Sequence, residues 1–529
     1  MTADEIYSKA HEEFKAKNYS AALKILDDLK KFDPNYKHSY YLAATIWRNL
    51  NNPVKEYYAL EKILPLLDFS SAEGKKFATV ILDNLANVCS NLALNEESFK
   101  FHKIAASLAD DVASSFAVIN NTVFSANFLE NFSAEDFRTL YTEYEKNLYE
   151  LAIHPYPKEF YAHKKIRVGF LSANFFQNAL IHWAWALLTK FDKNLFKTYC
   201  YSTGKNFDKT TYYLHYTFDV WRDIYDLTDE AAAEIIHVDE IDILFDLDGR
   251  TNGNRLSIAA YRPAPIQISG VGYMNSTGLD CFDYFLSDVH CAGDENFFTE
   301  KVIKLPHSHI CYKPFINVEP ASSPPCFKNN FVTFGTFNQF GKITDSMLTA
   351  WKKILDAVPK SHLLLKSEIF NSKDGNNFVG ERLKNFGFDL SRVEMRPYTG
   401  NHLVEYGDID IALDTFPYTG GVTTCEALYM GVPVISLYGS RHGTRFGLSI
   451  LKNVGLDELA VSTYDEYINR AIMLAGDWEL LKILRKNLRT MMKKSPLMDS
   501  QNYVREIQDV FVKILNEQKN FWRETDNGY

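Results

Sequence analysis

The sequence predicts an α/β protein: two doubly wound parallel-sheet domains, preceded by an all-α, tetratricopeptide-like helical domain. Three observations predict it. The first 160 residues carry helix-period patterns, and one unit has the length of a tetratricopeptide repeat. From Lys164 the pattern changes to short β-leaning runs alternating with amphipathic ones, the signature of parallel sheets with crossover helices. A Pro-, Ser- and Asn-containing linker at residues 318–330, VEPASSPPCFKNN, divides that region into two similar parts. The expected domains are therefore 1–160, 161–328 and 329–529.

Residues 3–36 form the clearest repeat. NYSAALKIL supplies the Tyr19–Ala22 pair that such units use where two helices touch, and FDPNY, with Pro34, ends the unit. A weaker copy follows from Lys37, and another is carried by LALNEESFKFHKIAASL at residues 92–108. Each unit has an apolar face that a neighbour must cover, so a short array is expected to be capped by the next domain. Arrays of this kind present a concave surface to peptides or partner proteins.

In the second domain KKIRVGFLSANF, KTYCYST, IDILFDLDG, APIQISGVGY, YFLSD and KVIKLP read as strands. In the third, FVTFGTFNQ, HLLLKS, RVEMRP, IDIALDTF and PVISLYG do so, and Thr344 is placed to cap the helix DSMLTAWKKILDAVP. Residues 478–520 read as helix, broken at Ser495-Pro496. Two α/β domains joined by a linker and closed by long terminal helices suggest the GT-B architecture. Ligands in such sheets bind beyond the C-terminal strand ends.

The chain of 529 residues has a formal net charge of -10, which argues against a nucleic-acid binder. The start, MTADEIYSKAHEEFK, has no apolar signal-peptide core, and no run approaches the roughly 20 apolar residues of a membrane span. Cys89, Cys200, Cys281, Cys291, Cys311, Cys326 and Cys425 are scattered and form no Cys-x-x-Cys pair. Reduced thiols in a cytoplasm, without a structural zinc site, are expected.

The most informative stretch is residues 410–433, DIALDTFPYTGGVTTCEALYMGVP. An apolar run over 409–416 fits a buried parallel strand. Pro417, Gly420 and Gly421 break it, Thr423 and Thr424 introduce a short helix, and Gly431 and Pro433 end it. Strand, Gly-rich loop and helix N-terminus make an anion site, read here as a cradle for a diphosphate. The competing reading is structural: Thr423 and Glu426 have capping-box spacing.

Taken together, KKIRVGFLSANF, YRPAPIQISGVGYMNSTGLDCFDYFLSD, KLPHSHICY, FGTFNQFGKIT, IDIALDTFPYTGGVTTCEALYMGVPV and KKSPLMDSQNYV resemble the family 41 glycosyltransferases. These are the protein O-GlcNAc transferases and the SPINDLY-type O-fucosyltransferases. The segments occur in the family's order and the upstream helical repeats match its layout. The resemblance implies an inverting, metal-independent transfer of a sugar from a nucleotide-sugar donor to Ser or Thr of a protein. UDP-GlcNAc is favoured as donor over GDP-fucose.

It also implies roles. Lys342 matches the lysine that meets the donor diphosphate, and Gln339 a glutamine beside it. Thr423 and Thr424, behind Gly421, match the phosphate-contacting pair. Glu426 lies where the family places an acid on the ribose, and His402 matches a histidine that packs on the base. Gly272 and Tyr273 resemble the loop lining the sugar and acceptor side, with Met274 in place of the usual proline. Asn178 stands where many members have a histidine, so it is no general base. His182, four residues on, matches a second histidine and is the remaining candidate. No Asp-x-Asp run stands in a convincing place for a catalytic metal, and no cofactor is expected. The implied partners are a nucleotide sugar and a protein acceptor read in part by the repeats, and the layout is compatible with a homo-oligomer. The rival of another class is a repeat scaffold that binds nucleotide sugar without turning it over, for which Asn178 is the supporting feature.

Overall fold

The computed structural model describes residues 2–109, 112–149 and 153–526. It divides into two compact units. One is built from Met1–Leu129 and Asn329–His402, the other from Glu130–Lys328 and Leu403–Tyr529. The strands, in chain order, are β1 (Ile166–Ser172), β2 (Phe196–Ser202), β3 (Val220–Asp223), β4 (Ile243–Asp246), β5 (Ile266–Gly270), β6 (Tyr284–Asp288) and β7 (Lys301–Leu305), then β8 (Thr333–Thr336), β9 (His362–Lys366), β10 (Val393–Arg396), β11 (Ile411–Leu413), β12 (Val434–Leu437) and β13 (Ala460–Val461).

The first unit begins with helix pairs: Ala3–Lys15 with Tyr19–Phe32, Lys37–Asn49 with Pro53–Glu61, and Ala72–Asn91 with Asn95–Leu108. The first pair closes as its landmarks require. Ala22 is fully buried among Ile6, Ala10, Leu26 and Leu29, with Tyr19 packed at the edge. The pairs share a backbone feature. The turn inside each pair passes through a non-glycine residue with positive φ: Lys17 (62°), Asn51 (52°) and Ala93 (58°). The first two lie one repeat length apart in the sequence. The third comes later because residues 64–71, including the short turn Leu64–Leu66, are inserted between the second and third pairs. Side-chain periodicity had blurred in the second and third units, but the left-handed turn persists in the backbone.

The same unit contains β8, β9 and β10. They are parallel, with Phe334 opposite Leu363 and Leu363 opposite Val393. The helix Asp345–Ala357 is capped by Thr344, which accepts from the Met347 N–H, and buries Met347, Leu348, Trp351, Ile354 and Leu355 as its spacing requires. The helical region packs on this part of the chain. Asn52 donates to Asp374 at 2.8 Å, and Arg382 donates to the Leu92 carbonyl at 3.3 Å.

The second unit contains a seven-stranded sheet of order β3-β2-β1-β4-β5-β6-β7, parallel throughout. Reversal of strand order between β1 and β4 makes this a doubly wound sheet with its switch point there. Its core strands are buried on both faces, which is why they read as continuous apolar runs rather than alternations. The unit also holds β11, β12 and β13, again parallel, with Leu413 opposite Ile435 and Leu437 opposite Val461. The terminal helices, Trp478–Lys494 and Ser500–Asp526, break at Ser495-Pro496 as expected.

At the switch point the run Asp246–Asp248 is buried rather than open to a ligand. Asp246 accepts from Ser269 Oγ at 2.7 Å and the Gly249 N–H at 2.8 Å. Asp248 accepts from Ser172 Oγ (2.6 Å), the Ala173 N–H (2.6 Å) and Asn174 Nδ2 (2.9 Å). Burial, and then the charge of Asp248, push the Asp246 carboxyl up to about 7. The folded chain therefore holds a proton that the unfolded chain has released. Stability from this group is fully present below the ordinary carboxylate range, near pH 4, and is lost as pH rises towards 7. Asp246→Asn should flatten that fall, whose limiting slope is about 1.4 kcal/mol per pH unit for one proton. Urea midpoints measured across the window would decide it; a slope equal to that of the parent removes Asp246 as the source.

Candidate functional site

The residues of the 410–433 stretch form a strand, a hydrogen-bonded loop and a helix start. β11 is shorter than the apolar run that announced it, because the chain leaves the sheet at Asp414. Asp414 is 2% exposed and organises the turn that follows. Its Oδ1 accepts from the Thr415 N–H at 2.8 Å and the Gly420 N–H at 2.6 Å, and its Oδ2 accepts from Ser436 Oγ at 2.6 Å. Carboxylate acceptors of this kind make the stronger class of hydrogen bond, so the loop is pinned at both ends. Thr419 fastens its middle, donating through Oγ1 to the Gly443 carbonyl at 3.1 Å.

The helix that follows runs over Val422–Tyr429 with Gly421 as its N-cap, two residues before the Thr423 cap that the capping-box spacing suggested. This shift bears on the capping-box reading alone. Thr423 lies inside the first turn, no side chain caps the terminus, and the capping box does not form. Thr424 and Thr423 instead turn their hydroxyls toward Gly420, where a Cβ would meet Thr424 Oγ1 at 2.6 Å and Thr423 Oγ1 at 2.8 Å. Gly421 is required for another reason: its Cβ would meet the Trp183 ring at 2.1 Å. The terminus thus combines backbone N–H groups, the positive end of a helix dipole and two hydroxyls, in a loop with no side chain at either glycine.

Glu426, 6% exposed, points to the buried Tyr406, whose hydroxyl also donates to the Thr423 carbonyl at 3.2 Å. Burial, and next the Glu426 charge, push the Tyr406 phenol well above its ordinary value. At its other end the helix stops at Met430 and Gly431, the latter with φ of 80°. Two arginines of Trp478–Lys494 satisfy the last carbonyls. Arg485 donates to Met430 and Tyr406, and Arg489 to Tyr429.

The other residues that the resemblance assigns to the donor belong to the first unit. Lys342 ends the short turn Phe340–Lys342 just after β8, and is half-buried. Gln339 is the exposed N-cap of that turn. The turn is held from several sides. The Phe340 N–H donates to Ser367 Oγ at 3.2 Å, Arg382 lies over the Phe340 ring, and Asn95 Nδ2 donates to the Gly341 carbonyl at 3.1 Å. His402 opens the helix His402–Glu405, its ring stacked on Tyr398 with centroids 6.1 Å apart. A stacked pair with one exposed ring is a platform on which a planar base can lie.

Asn178 caps the helix Ala179–Thr189, its Oδ1 accepting from the Ile181 N–H at 3.3 Å while its amide donates to Asn174. That is a complete structural role for this residue. His182 lies one turn in. Its Nδ1 is 2.9 Å from the Lys313 carbonyl, so that nitrogen carries the proton and Nε2 is the acceptor, 3.3 Å from the Gln177 amide. Phe315 packs edge-on to the ring. Gly272 follows Val271, a buried β-branched residue at φ of 71°, where strain is the rule. A Cβ at Gly272 would lie 1.9 Å from the Leu247 carbonyl oxygen. Tyr273, Met274, Asn275, Ser276 and Thr277 are all buried, with Ser276 and Thr277 both held by Glu300.

The structure therefore brings together Gly421, Thr423, Thr424 and Glu426 in one loop and helix, with Trp183, the neighbour of His182, against it. Lys342 and Gln339 share one turn in the other unit. Sequence reasoning missed Asp414 and Asn95. Asp414 had a legible signal, an acid between an apolar strand and a Pro/Gly loop; Asn95, 246 positions from its partner, had none.

Three comparisons bear on this arrangement. The Glycosyl transferase family 41 model matches residues 142–313 and 325–507. The probable UDP-N-acetylglucosamine–peptide N-acetylglucosaminyltransferase SPINDLY of Solanum lycopersicum is 38% identical over 314 residues, 58% of this chain and 33% of that one. The protein of the same name from Petunia hybrida is 35% identical over 374 residues, 69% of this chain and 39% of that one. The chain thus spans between a third and two-fifths of the length of these curated relatives. Among solved structures, a lysine-to-methionine mutant of the Thermobaculum terrenum O-GlcNAc transferase superposes with a TM-score of 0.83 at 26% identity, covering 98% of both chains. Its fold is the one described above.

Proposed function

This chain belongs to glycosyltransferase family 41, and from that premise we propose that it is an inverting protein O-glycosyltransferase using UDP-GlcNAc and a Ser or Thr acceptor. The observation that carries the reading is the helix N-terminus at Val422, left without a side-chain cap and preceded by a glycine pair that Asp414 holds in place. A helix start built this way suits a diphosphate. The names of the relatives, and that of the superposed structure, point to the same donor and to peptide acceptors.

In the proposed reaction the acceptor oxygen attacks the anomeric carbon from the face opposite the nucleotide. The bond from that carbon to the phosphate oxygen breaks, and UDP leaves with its electron pair. Charge grows on the diphosphate, and the N–H groups of the first helical turn, the Thr423 and Thr424 hydroxyls and the Lys342 ammonium are the groups assigned to it. Glu426 and His402 are assigned to the ribose and base. No catalytic metal is invoked: Asp246 and Asp248 are engaged internally, and Asp410 accepts from the Cys326 N–H at 2.9 Å. The acceptor proton is assigned to His182, whose Nε2 is its accepting nitrogen. Gly272 and Tyr273 are assigned to the sugar side, and the helical repeats to part of the protein acceptor.

A thermal-shift panel with UDP, GDP, UDP-GlcNAc and GDP-fucose tests the donor. A ligand at 100 times its Kd stabilises by about 2.7 kcal/mol. UDP and UDP-GlcNAc should shift the transition and the guanine nucleotides should not; the reverse pattern would make fucose the sugar. With the donor fixed, His182→Ala should lower turnover at saturating UDP-GlcNAc and flatten the pH profile, with nucleotide affinity unchanged. Loss of thermal stability with a pH profile of unchanged shape would leave His182 a packing residue. Nucleotide binding without hydrolysis or transfer on a broad peptide library would favour the scaffold.

A further inference from the structure

Away from the cradle, three residues far apart in sequence meet in the interior of the second unit. Cys291 follows β6, His309 follows β7, and His442 lies in the turn His442–Thr444 after β12. Cys291 and His442 are fully buried and His309 is 1% exposed. One ligand atom from each, the thiol sulfur and a ring nitrogen of each histidine, lies within 4.8 Å of the others. We propose that Cys291, His309 and His442 bind a single transition-metal ion, zinc, that ties the three loops together.

The polar atoms carry the argument. His309 Nδ1 is 2.6 Å from Asp288 Oδ2, so that nitrogen holds the proton and Nε2 bears the lone pair. His309 Nε2 has no hydrogen-bond partner, and the His442 ring makes no hydrogen bond of good geometry, although the Met274 carbonyl lies beside it. Buried polar atoms are nearly always paired, so one under-satisfied nitrogen from each ring, beside a thiol whose other contact is a long 3.5 Å one to the His442 carbonyl, is a set of three ligand atoms in one place. The rings surrounding His442, Phe285, Phe298 and Phe446, supply no acceptor or donor.

The surroundings match what zinc requires. A carboxylate that fixes the far nitrogen of a ligating histidine is a recurring outer-shell arrangement, and Asp288 supplies it. Asp288 is itself fixed by the Cys291 N–H at 2.7 Å, the His309 N–H at 3.0 Å and Ser449 Oγ at 2.8 Å. The charges also balance. A divalent ion, a Cys291 thiolate and an Asp288 carboxylate sum to zero, which a dry interior can hold, and two neutral imidazoles complete the set. Metal bonds of about 2.0–2.3 Å place tetrahedral ligands roughly 3.3–3.7 Å apart, so the side chains must close by about an ångström. Binding would release the Cys291 proton, and the fourth position is left to a water molecule or a small ligand.

The site's location gives the ion a purpose. The loops it would join are already stitched together: the Asp294 N–H donates to the Ser440 carbonyl at 2.8 Å, and Arg445 Nε to the His290 carbonyl at 2.9 Å. The residue after His442 is Gly443, whose carbonyl receives Thr419 from the cradle loop. An ion here would hold the turn on which that loop rests.

The test is metal analysis of the full-length protein, as purified and after dialysis against excess ZnCl₂ and then metal-free buffer. One zinc per chain is expected, and cobalt substitution should give a thiolate-to-cobalt charge-transfer band. Cys291→Ser should abolish that band and lower the zinc content at least tenfold, and His442→Phe should lower it likewise. Should both variants fail to fold, a mercurial titration of the wild type replaces them: zinc release to a chromophoric chelator in step with thiol modification is expected. No stoichiometric metal after dialysis, a cobalt complex lacking the sulfur band, or zinc content unchanged in Cys291→Ser would each overturn the site. Copper at the same stoichiometry in the purified protein would overturn the choice of zinc.

Discussion

Lys342→Ala is expected to reduce transfer on the order of 100-fold or more, with the protein still folded. The side chain is half-buried at the end of a turn that other residues also anchor: Phe340 on Ser367, Gly341 on Asn95, and Ile343 under Arg382. Removing the ammonium deletes a charge and leaves those anchors in place. Because negative charge on the diphosphate grows as the sugar departs, the loss should fall on turnover at saturating donor more than on UDP-GlcNAc affinity. The measurement is single-turnover transfer alongside a melting curve. Near-normal turnover in a folded Lys342→Ala protein would remove Lys342 from the catalytic assignment.

Gly341→Ala should be nearly as damaging, by a different route. A Cβ at Gly341 would stand 2.3 Å from the Ser90 carbonyl oxygen, in the last turn of the helix Ala72–Asn91. Both groups are backbone, so neither can swing aside and the turn bearing Lys342 must shift. Overpacking of this kind costs about 1–3 kcal/mol, and an ångström of displacement at a reacting centre can cost about 100-fold in rate. The expected result is a folded, slightly destabilised enzyme with turnover reduced on the order of 10- to 100-fold. Full activity at normal stability would mean that the turn relaxes without moving Lys342. The same contact revises what the helical region is for. Read as a sequence, it is a surface for acceptors; in the structure it also supports the lysine turn, so its removal should reach the donor chemistry as well.

Much of the architecture was legible without coordinates, for reasons that can be named. Strands buried on both faces are continuous apolar runs, and β4, β5 and β9 announce themselves as such. The helix Asp345–Ala357 carries its cap and its apolar stripe in consecutive letters. The Gly420–Thr424 loop could be picked out because the glycines, the hydroxyls and the helix they introduce are neighbours in the chain. Local rules act over a few residues, and these features are local.

What the sequence could not decide were matters of register and of distance. Whether Thr423 caps a helix or lies inside one turns on a shift of a residue or two in the helix start. That shift is set by Asp414 gripping Gly420 from across the loop. Scattered cysteines with no Cys-x-x-Cys pair argued against a metal site, because spacing rules see only ligands that share a loop. Cys291, His309 and His442 are joined by the ends of three strands, and Asn95 reaches Gly341 across 246 positions. By itself the sequence determined the family, the two parallel sheets and the cradle's composition. Only the tertiary structure decided which distant groups stand within a few ångströms of one another, because sheet packing, not chain proximity, sets those distances.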